Sequence, residues 1–254
     1  MKQACESIDF LFHQAALGSV PRSIENPIAT HNANASGFLS VLVAAKNAGV
    51  KRVVYASSSS VYGDIADSPK REEKTGKPLS PYAVSKLVNE FYADIFSRTY
   101  NMEIIGLRYF NIFGPRQNPK GAYAAAIPLF IDGLLNNTPV YINGDGEQSR
   151  DFTFVENAVQ GNIKAMFCEE KEAPGKVFNI ALGDKISVNQ LFNTLKKITG
   201  SSLSPTYREE RRGDVKNSLA DISKARTILR YSPSVIVDDG LRKTVEWFGN
   251  YFRK

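Results

Sequence analysis

Hydrophobic residues in the first half of the chain fall into short runs that alternate with longer stretches of helical spacing. The short runs predict buried strands at residues 8–13, 52–56 and 102–108. Helical spacing predicts helices at residues 29–48, ended by Gly49, and 81–100, opened by Pro81. Alternating strands and helices with nearly continuous apolar strands imply an α/β fold whose parallel sheet is covered on both faces. Ligands bind such sheets at the carboxyl ends of the strands.

The pattern after Pro115 is less regular. Helices are predicted near residues 155–167, 188–199 and 237–252, with short apolar runs and turns between them. We therefore divide the chain into residues 1–114, which carry the main sheet, and residues 115–254, which form a smaller substrate-side domain. One apolar run in the second part, residues 177–180, is able to return to the main sheet.

Composition and charge narrow the classes of function. The net charge is +6, but lysine and arginine are scattered, and the densest stretch, residues 208–212, is interrupted by two glutamates. This distribution argues against nucleic-acid binding. No apolar run is long enough to span a membrane, and the amino terminus carries no signal-peptide pattern, so we expect a cytoplasmic protein. Cys5, Cys168 and the two histidines lack ligand-like spacing, which predicts neither a disulfide nor a metal site.

Two polar segments at the expected sheet edge carry the candidate chemistry. Residues 57–63 read SSSSVYG and follow a predicted strand, and residues 80–86 read SPYAVSK and open a predicted helix. Tyr82 and Lys86 are four residues apart, so both point to one face of that helix. An ammonium there favours the phenolate and lowers the tyrosine pKa from about 10, which makes Tyr82 a usable general base. With a hydroxyl from the serine cluster, the pattern predicts oxidation of an alcohol by coupled hydride and proton transfer.

Five sequence blocks identify a wider resemblance: HQAALGSVPRS, GKPLSPYAVSK, LRYFNIFGPRQNP, GAYAAAIP and YINGDGEQSRDF. In this order they resemble the extended short-chain dehydrogenase/reductase superfamily and, within it, the NAD-dependent nucleotide-sugar epimerases. The resemblance covers essentially the entire chain and is nearest to the bacterial UDP-N-acetylglucosamine C4-epimerases of surface-polysaccharide pathways. It implies a Rossmann-like parallel sheet with a smaller α/β domain that binds a UDP-sugar, and NAD as the cofactor.

The resemblance also implies roles for individual residues. The catalytic residues are Ser58, Tyr82 and Lys86: Tyr82 accepts the proton, Lys86 binds the nicotinamide ribose, and Ser58 hydrogen-bonds the sugar oxygen that ionises. The residues expected to contact NAD are Gln14, Ala15, Ala16, Tyr82, Lys86 and Phe110. The residues expected to contact the UDP-sugar are Gly18, Ser19, Arg22, Ser58, Ser59, Asn111, Tyr141, Asn143, Arg150, Arg211 and Asp214.

Several of these assignments compete with ordinary structural roles. The resemblance implies that Arg150 and Arg211 clamp the diphosphate, because guanidinium groups suit phosphate oxygens bidentately. An arginine in a turn is otherwise a surface salt-bridge partner. Asn111 and Asn143 are by default turn residues, and Phe110 and Tyr141 are by default core aromatics. For Ser57 and Ser60 we expect structural roles, such as capping the strand end.

The serine cluster also indicates which reaction to expect. Related dehydratases and decarboxylases carry acidic residues just after the catalytic hydroxyl, whereas this chain has Ser59 and Ser60 there. Without a carboxylate, elimination of water lacks its acid and base. The expected reaction is therefore transient oxidation at C4 followed by return of the hydride to the other face of the sugar. The block GAYAAAIP favours a UDP-N-acetylhexosamine or its uronic acid, with UDP-glucuronate and UDP-glucose as alternative substrates.

The sequence departs from the family at the cofactor site. A first strand followed by G-x-G-x-x-G is not found, and Gly144-Asp145-Gly146 opens no helix, so we interpret that segment as a turn. The chain therefore resembles an epimerase truncated at its amino terminus, and the alternative from another class is a noncatalytic remnant that only binds a nucleotide sugar. Family members commonly form homodimers through the helix that bears the Tyr-x-x-x-Lys motif, so we expect a homodimer.

Overall fold

The computed structural model describes residues 1–119, 125–210 and 216–252, and the side chains up to residue 250. In the first half it confirms the alternation of strands and helices. The elements are β1 (Phe10–His13), α1 (Val20–Glu25), α2 (Pro27–His31), α3 (Gly37–Ala48), β2 (Arg52–Ser58), α4 (Pro81–Tyr100) and β3 (Glu103–Tyr109). Short 3-10 turns occupy Gln3–Cys5 and Ser59–Tyr62, and a π-helical turn occupies Asn32–Ser36.

The second half contains the three predicted helices and several elements that the sequence pattern did not reveal. The elements are β4 (Ile112–Phe113), α5 (Ala126–Asn136), β5 (Tyr141–Asn143), β6 (Ser149–Arg150), β7 (Thr153–Phe154), α6 (Val155–Met166), β8 (Val177–Ile180), β9 (Ile186–Ser187), α7 (Val188–Thr199), β10 (Thr206–Arg208), β11 (Asn217–Ser218), α8 (Ser223–Ile228) and α9 (Val237–Phe252). Helices α5 and α8 and the two- and three-residue strands are the additions.

The main sheet has the strand order β1-β2-β3-β8, and all of its pairings are parallel. Strand β8 therefore returns to this sheet, as expected from its apolar run. Cross-strand register places Ser57 beside Arg108 and Arg108 beside Asn179. The carboxyl ends of the strands lie along one edge, which is where a parallel sheet binds ligands.

Strand β1 differs from the prediction of a buried strand. It is shorter than residues 8–13, and its Phe10 and Phe12 are 42% and 48% exposed. Among the described residues β1 pairs only with β2, so it is an edge strand in this structure. The apolar pattern identified the strand but not its position at the edge, because periodicity reports neither sheet order nor cover.

The helix predicted at residues 29–48 begins earlier and is not uniform. Pro27 occupies the first turn of α2, and the Asn26 side chain accepts a hydrogen bond from the backbone N–H of Ala29 at 3.0 Å. A π-helical turn then separates α2 from α3. Gly49 ends α3 with a φ of 69°, the left-handed conformation that favours glycine.

Helix α4 has the predicted bounds because its ends are strongly marked in the sequence. The Ser80 hydroxyl accepts a hydrogen bond from the Ala83 N–H at 3.2 Å, and Pro81 lies in the first turn. Asn101 ends the helix in the left-handed region at a φ of 54°. The capped end places Tyr82 in the first turn and Lys86 in the second.

Three apolar clusters hold the elements together. One lies between the sheet and α3 and α4 and includes Phe38, Leu42 and Ile104. A second covers the other face of β2, β3 and β8 with α6 and α8, so both faces of these three strands are covered, whereas β1 keeps Phe10 and Phe12 exposed. The third joins α5, α7 and α9 away from the sheet. The division of the chain at residue 115 stays a prediction. Elements α6, β8 and α8 follow this residue in sequence, yet they pack with the main sheet.

Candidate active site

The three residues expected to be catalytic meet where β2 ends against the start of α4. The Lys86 ammonium donates a hydrogen bond to the Ala56 carbonyl oxygen at 2.7 Å. Tyr82 shares a side-chain hydrogen bond with Ser58, two residues further along the strand. The Lys86 nitrogen is 6.0 Å from the centre of the Tyr82 ring. The structure therefore brings Ser58, Tyr82 and Lys86 together, as the sequence suggested.

Burial dominates the electrostatics of this group. Lys86 is 3% exposed, and desolvation lowers its pKa to about 8. Burial raises the pKa of Tyr82, while the hydrogen bond with Ser58 lowers it. This differs from the expectation that the ammonium is the main influence on Tyr82. The pKa of His13, at the end of β1, is lowered by burial and by the charge of Lys86.

A cavity of about 260 Å³ opens beside the serine cluster, and we name it the serine cavity. Of the predicted substrate residues, Ser59, Asn111 and Arg150 line it. Ser60 also lines it, and its buried hydroxyl has no hydrogen-bond partner among the described residues. The Ser60 backbone N–H donates to the Ser58 hydroxyl, which caps the 3-10 turn Ser59–Tyr62, so the capping side chain is that of Ser58 rather than Ser60. The other lining residues are Val20, Ile24, Tyr62, Gly63, Lys70, Leu79, Ser80, Ala83 and Ser218.

A second cavity of about 310 Å³ lies against the second half of the chain, and we name it the tyrosine cavity. Tyr141, Asn143, Asn111 and Arg150 line it, and the last two also line the serine cavity. The two cavities therefore adjoin at Asn111 and Arg150. Four predicted substrate residues from distant parts of the sequence converge here. Further lining comes mainly from Ile112, Phe113, Gln117, Ala126, Phe130, Gln148 and Phe152.

Residues that the sequence reasoning missed complete these walls. The Arg208 guanidinium carbon lies 3.2 Å from the centre of the Tyr141 ring, a cation–π contact between β10 and β5. Gln117 and Gln148 line the tyrosine cavity, and Ser218 lines the serine cavity. All are polar residues in short strands or loops, where neither periodicity nor a recognised motif marks them.

Asn111 combines a turn conformation with a place in both cavities. Its φ is 39°, which the short polar side chain of asparagine tolerates. Its side-chain amide donates to the Asp151 carbonyl oxygen at 3.0 Å. A turn role and a substrate role are therefore compatible for Asn111.

Two residues expected to contact NAD face other partners. Phe110 is 0% exposed and packs against Tyr62 with ring centres 5.9 Å apart, so it presents no surface to a ligand in this structure. The alternative assignment as a core aromatic describes it better. The Gln14 side chain accepts a hydrogen bond from the Tyr109 hydroxyl at 3.0 Å and donates to Asn162 at 2.9 Å. That amide is held against α6.

The remaining predicted residues lie near the end of β1 or outside the described parts of the chain. Ala15, Ala16 and Gly18 are exposed just beyond β1. Ser19 caps α1 by accepting a hydrogen bond from the Arg22 backbone N–H at 3.2 Å, which is a structural role for the Ser19 side chain. Arg211 and Asp214 lie outside the described residues.

The residues at the sheet edge fit part of a nicotinamide cofactor. Small side chains at Ala15 and Ala16 leave the end of β1 open to close approach, and Lys86 supplies a buried cationic donor beside Tyr82. The segment Gly144-Asp145-Gly146 is a turn, as expected: both glycines have positive φ, and a Cβ on Gly146 would lie 2.1 Å from an oxygen of Asn189. It offers no phosphate cradle at a helix start.

Membrane-spanning helices and clustered metal ligands are features of other classes of protein. No helix in the described ranges is long and apolar enough to cross a membrane. Within the same ranges, three or more His, Cys, Asp or Glu side chains do not come together in a way that could hold a metal ion. Cys5 and Cys168 are both buried and free.

Comparison with known proteins shows similarity along nearly the whole chain. Residues 1–181 match the family described as NAD dependent epimerase/dehydratase. A UDP-glucuronate 4-epimerase of Thermodesulfobacterium geofontis is 34% identical over 242 residues, which cover 95% of this chain and 72% of that relative. One solved structure is that of UDP-N-acetylglucosamine 4-epimerase from Methanobrevibacter ruminantium in complex with UDP-N-acetylmuramic acid. Its sequence is 39% identical to this chain and the TM-score is 0.94; the match covers 98% of this chain and 79% of the epimerase chain. A second solved structure is that of UDP-glucose 4-epimerase from Thermotoga maritima with UDP-glucose, which is 36% identical with a TM-score of 0.92. The match covers 96% of this chain and 78% of that epimerase chain.

Proposed function

The chain belongs to the NAD-dependent epimerase/dehydratase family, and on that basis we propose that it catalyses C4 epimerisation of a UDP-N-acetylhexosamine through a transient 4-keto sugar. The observation that carries the proposal is the meeting of Ser58, Tyr82 and Lys86 at the end of β2. A base, a hydrogen-bonding hydroxyl and a cation are the groups that reversible oxidation of an alcohol requires. All three lie where a parallel sheet binds its ligands.

The positions of the three residues support a division of roles. Tyr82 takes the proton of the C4 hydroxyl, and its hydrogen bond with Ser58 favours the phenolate. Ser58 also holds the ionising sugar oxygen, and Lys86 adds positive charge beside the tyrosine. Bound NAD supplies the hydride acceptor and then the hydride donor, so the cofactor is regenerated in each cycle. The proton returns from Tyr82 to the sugar when the hydride has been delivered to its other face.

We further propose that the UDP moiety lies across the two cavities. Asn111 and Arg150 line both of them, which suits groups that hold the diphosphate between the sugar and the uridine. Tyr141 and Asn143 line the tyrosine cavity, where the uracil would bind. Arg211 and Asp214 stay predictions for the diphosphate and the ribose.

The choice of sugar and of reaction rests on the serine cavity. None of the described residues that line this cavity is an aspartate or a glutamate, which favours epimerisation over elimination. Small side chains at Ser59, Ser60 and Ser218 leave room for an N-acetyl group. The similarity to the Methanobrevibacter epimerase supports the same choice, and the similarity to the Thermodesulfobacterium enzyme supports UDP-glucuronate as the second candidate.

The test is to follow purified full-length protein with NAD and four substrates, UDP-GlcNAc, UDP-GalNAc, UDP-glucose and UDP-glucuronate, by anion-exchange chromatography. We expect interconversion of UDP-GlcNAc and UDP-GalNAc, with the other two sugars turned over more slowly. Tyr82→Phe removes the general base and should lower kcat by at least about 100-fold, while UDP affinity measured by calorimetry stays unchanged.

The matched control for this variant is Tyr100→Phe, because Tyr100 lies at the far end of the same helix. We expect Tyr100→Phe to keep full turnover. Turnover in Tyr82→Phe equal to that of the control would contradict the mechanism. UDP binding with no turnover of any sugar in the unaltered protein would instead favour the noncatalytic alternative.

We also propose that the protein is a homodimer that pairs through α4. On this helix the apolar residues Val84, Phe91 and Ile95 are 47%, 64% and 42% exposed. Together they form an exposed apolar stripe along α4, which is typical of a protein–protein interface. Phe91→Glu should convert a dimer to a monomer in size-exclusion chromatography with light scattering, because a charge in an apolar interface is costly. Ile236→Glu, at an exposed apolar residue elsewhere, is the control. A monomeric unaltered protein would overturn this proposal.

A further inference from the structure

A buried ion pair joins α4 to the main sheet directly below the catalytic residues. The Arg108 guanidinium donates to both carboxylate oxygens of Glu90, at 2.9 Å from Nε and 2.8 Å from Nη2. The two side chains are only 3% and 9% exposed. Burial alone would lower the pKa of Arg108, but the hydrogen bonds and charge of Glu90 raise it. Such a pair offsets its desolvation cost only when its geometry is good and its remaining groups are satisfied.

The remaining groups of the pair are satisfied by three further elements. The Ser57 hydroxyl of β2 donates to Glu90 at 2.5 Å. The third Arg108 nitrogen, Nη1, donates to the Glu72 carbonyl oxygen at 3.2 Å. The guanidinium carbon also lies 4.8 Å from the centre of the Tyr62 ring. The pair therefore links α4 with β2, β3 and the loop that follows the serine cluster.

The position of Glu90 along α4 connects this pair to the catalysis. Glu90 is four residues after Lys86 and eight after Tyr82, so the three side chains follow one face of the helix. The strand β2 meets that face with consecutive residues: the Ala56 carbonyl accepts from Lys86, and the Ser57 hydroxyl donates to Glu90. Contacts one turn apart on a rigid helix fix both its rotation and its distance from the strand.

We propose that the Glu90–Arg108 pair positions the catalytic helix, holding α4 against β2 and β3 so that Tyr82 and Lys86 lie at reacting distance from the substrate. The proposal rests on the epimerase function proposed above. Glu90 and Arg108 are positioning residues, because both are buried and their side chains bond to one another, to Ser57 and to the Glu72 carbonyl oxygen. A displacement of about 1 Å in a catalytic group can cost on the order of 100-fold in rate, so a rigid support has a measurable effect.

The pair also has an electrostatic consequence, because its two charges cancel. His13 from β1 and Tyr82 from α4 interact with Lys86, and the Glu90–Arg108 pair lies one helical turn further along the same face of α4. Glu90→Gln leaves the Arg108 cation uncompensated, which disfavours a second cation at Lys86 and lowers its pKa from about 8. Arg108→Met leaves the Glu90 anion uncompensated and shifts the pKa of Lys86 in the opposite direction.

The experiment is a double-mutant cycle of Glu90→Gln, Arg108→Met and the double variant. Its control is Asp94→Asn, which removes the exposed carboxylate that pairs with Arg98 one turn further along α4. Lysine labelled with 13C at the ε carbon gives the titration of Lys86 by NMR, with Lys86→Arg to assign the signal. This readout needs no turnover. Epimerase assays give kcat and KM for the UDP-sugar across pH.

We expect the Lys86 titration to move down in pH in Glu90→Gln, up in Arg108→Met, and back to its original value in the double variant. The double variant should still show a kcat reduced about 10-fold to 100-fold, with KM changed less than about threefold. Its charges balance, but the hydrogen bonds that hold α4 against β2 and β3 are gone. The Asp94→Asn control should match the unaltered protein in all readouts.

A double variant with unchanged kcat would overturn the positioning role. Single variants whose Lys86 titrations shift in the same direction would overturn the charge balance at Lys86. If Arg108→Met does not fold, Glu90→Gln and the double variant still decide the question. An unaltered protein without turnover would contradict the proposed function. In that case the NMR titrations, together with hydrogen exchange of the α4 amides, still test whether the pair holds the helix and balances the charge at Lys86.

Discussion

At the scale of single residues, burial decides the chemistry of the site more than spacing does. The four-residue separation of Tyr82 and Lys86 predicted their shared face, and the structure confirms that contact. The sequence could not predict that Lys86 is 3% exposed, or that its pKa is lowered to about 8. Helical spacing shows which side chains are neighbours, whereas depth of burial depends on the strands and loops packed over them.

The lowered pKa of Lys86 predicts a dependence of stability on pH. Its value of about 8 in the folded state lies below the ordinary 10.5, so between these values the unfolded chain binds more protons than the native one. The contribution of Lys86 to the free energy of unfolding therefore rises as the pH rises from 8 to 10.5. Relative to Lys86→Met, the unaltered protein should gain about 2 kcal/mol between pH 8 and pH 10.

Urea unfolding of both proteins at several pH values measures this difference. Comparing the two proteins cancels the titration of all other groups. Loss of the hydrogen bond from Lys86 to Ala56 changes the free energy of unfolding by an amount that we expect to be the same at every pH. The control is Lys51→Met, because Lys51 is an exposed lysine paired with Asp9 on the surface. A difference between the unaltered protein and Lys86→Met that stays flat across pH would contradict the buried state of this ammonium.

At the scale of elements, the sequence predicted best where ends are chemically marked and apolar runs are long. The bounds of α4 follow from Ser80 and Pro81, and β2 and β3 follow from their apolar runs. The two-residue strands such as β6 and β11 were missed, because so short a segment has no periodicity. They nevertheless bring Arg150 and Ser218 to the cavities. The family resemblance had identified Arg150 without its strand, whereas Ser218 was missed together with β11.

The packing around β3 gives a prediction for one glycine. A Cβ on Gly106 would lie 2.6 Å from the Tyr55 hydroxyl and 2.8 Å from Val177, so neighbouring strands leave no space for a methyl group. Gly106→Ala should lower the free energy of unfolding by about 2 kcal/mol through overpacking. Gly249→Ala in α9 is the matched control, because its Cβ would meet nothing within 4 Å. Urea unfolding checks both, and equal stability of the two variants would contradict the packing described for β2, β3 and β8.

At the scale of the whole molecule, Asp151 ties the substrate-side segments to the main sheet. This residue is 0% exposed, and its carboxylate accepts hydrogen bonds from the backbone N–H groups of Leu182, Gly183 and Ala220 at 3.1 to 3.2 Å. Its carbonyl oxygen also holds the side chain of Asn111. These contacts join residues 31 to 69 positions apart in sequence, and sequence patterns of short range carry no signal for such a junction.

Because the junction supports both the fold and the cavities, Asp151→Asn should affect stability and ligand binding together. The amide turns one acceptor oxygen into a donor that faces backbone N–H groups, which leaves buried donors unpaired and costs about 2 to 4 kcal/mol.

Trp247, the single tryptophan, reports on the cluster around α9, so fluorescence and circular dichroism together show whether unfolding shifts throughout the molecule. UDP affinity should also fall, since Asn111 lines both cavities. The control is Asp184→Asn, because Asp184 is exposed and its carboxylate accepts from the adjacent backbone N–H of Lys185. An Asp151→Asn variant as stable as this control would contradict the structural role of Asp151.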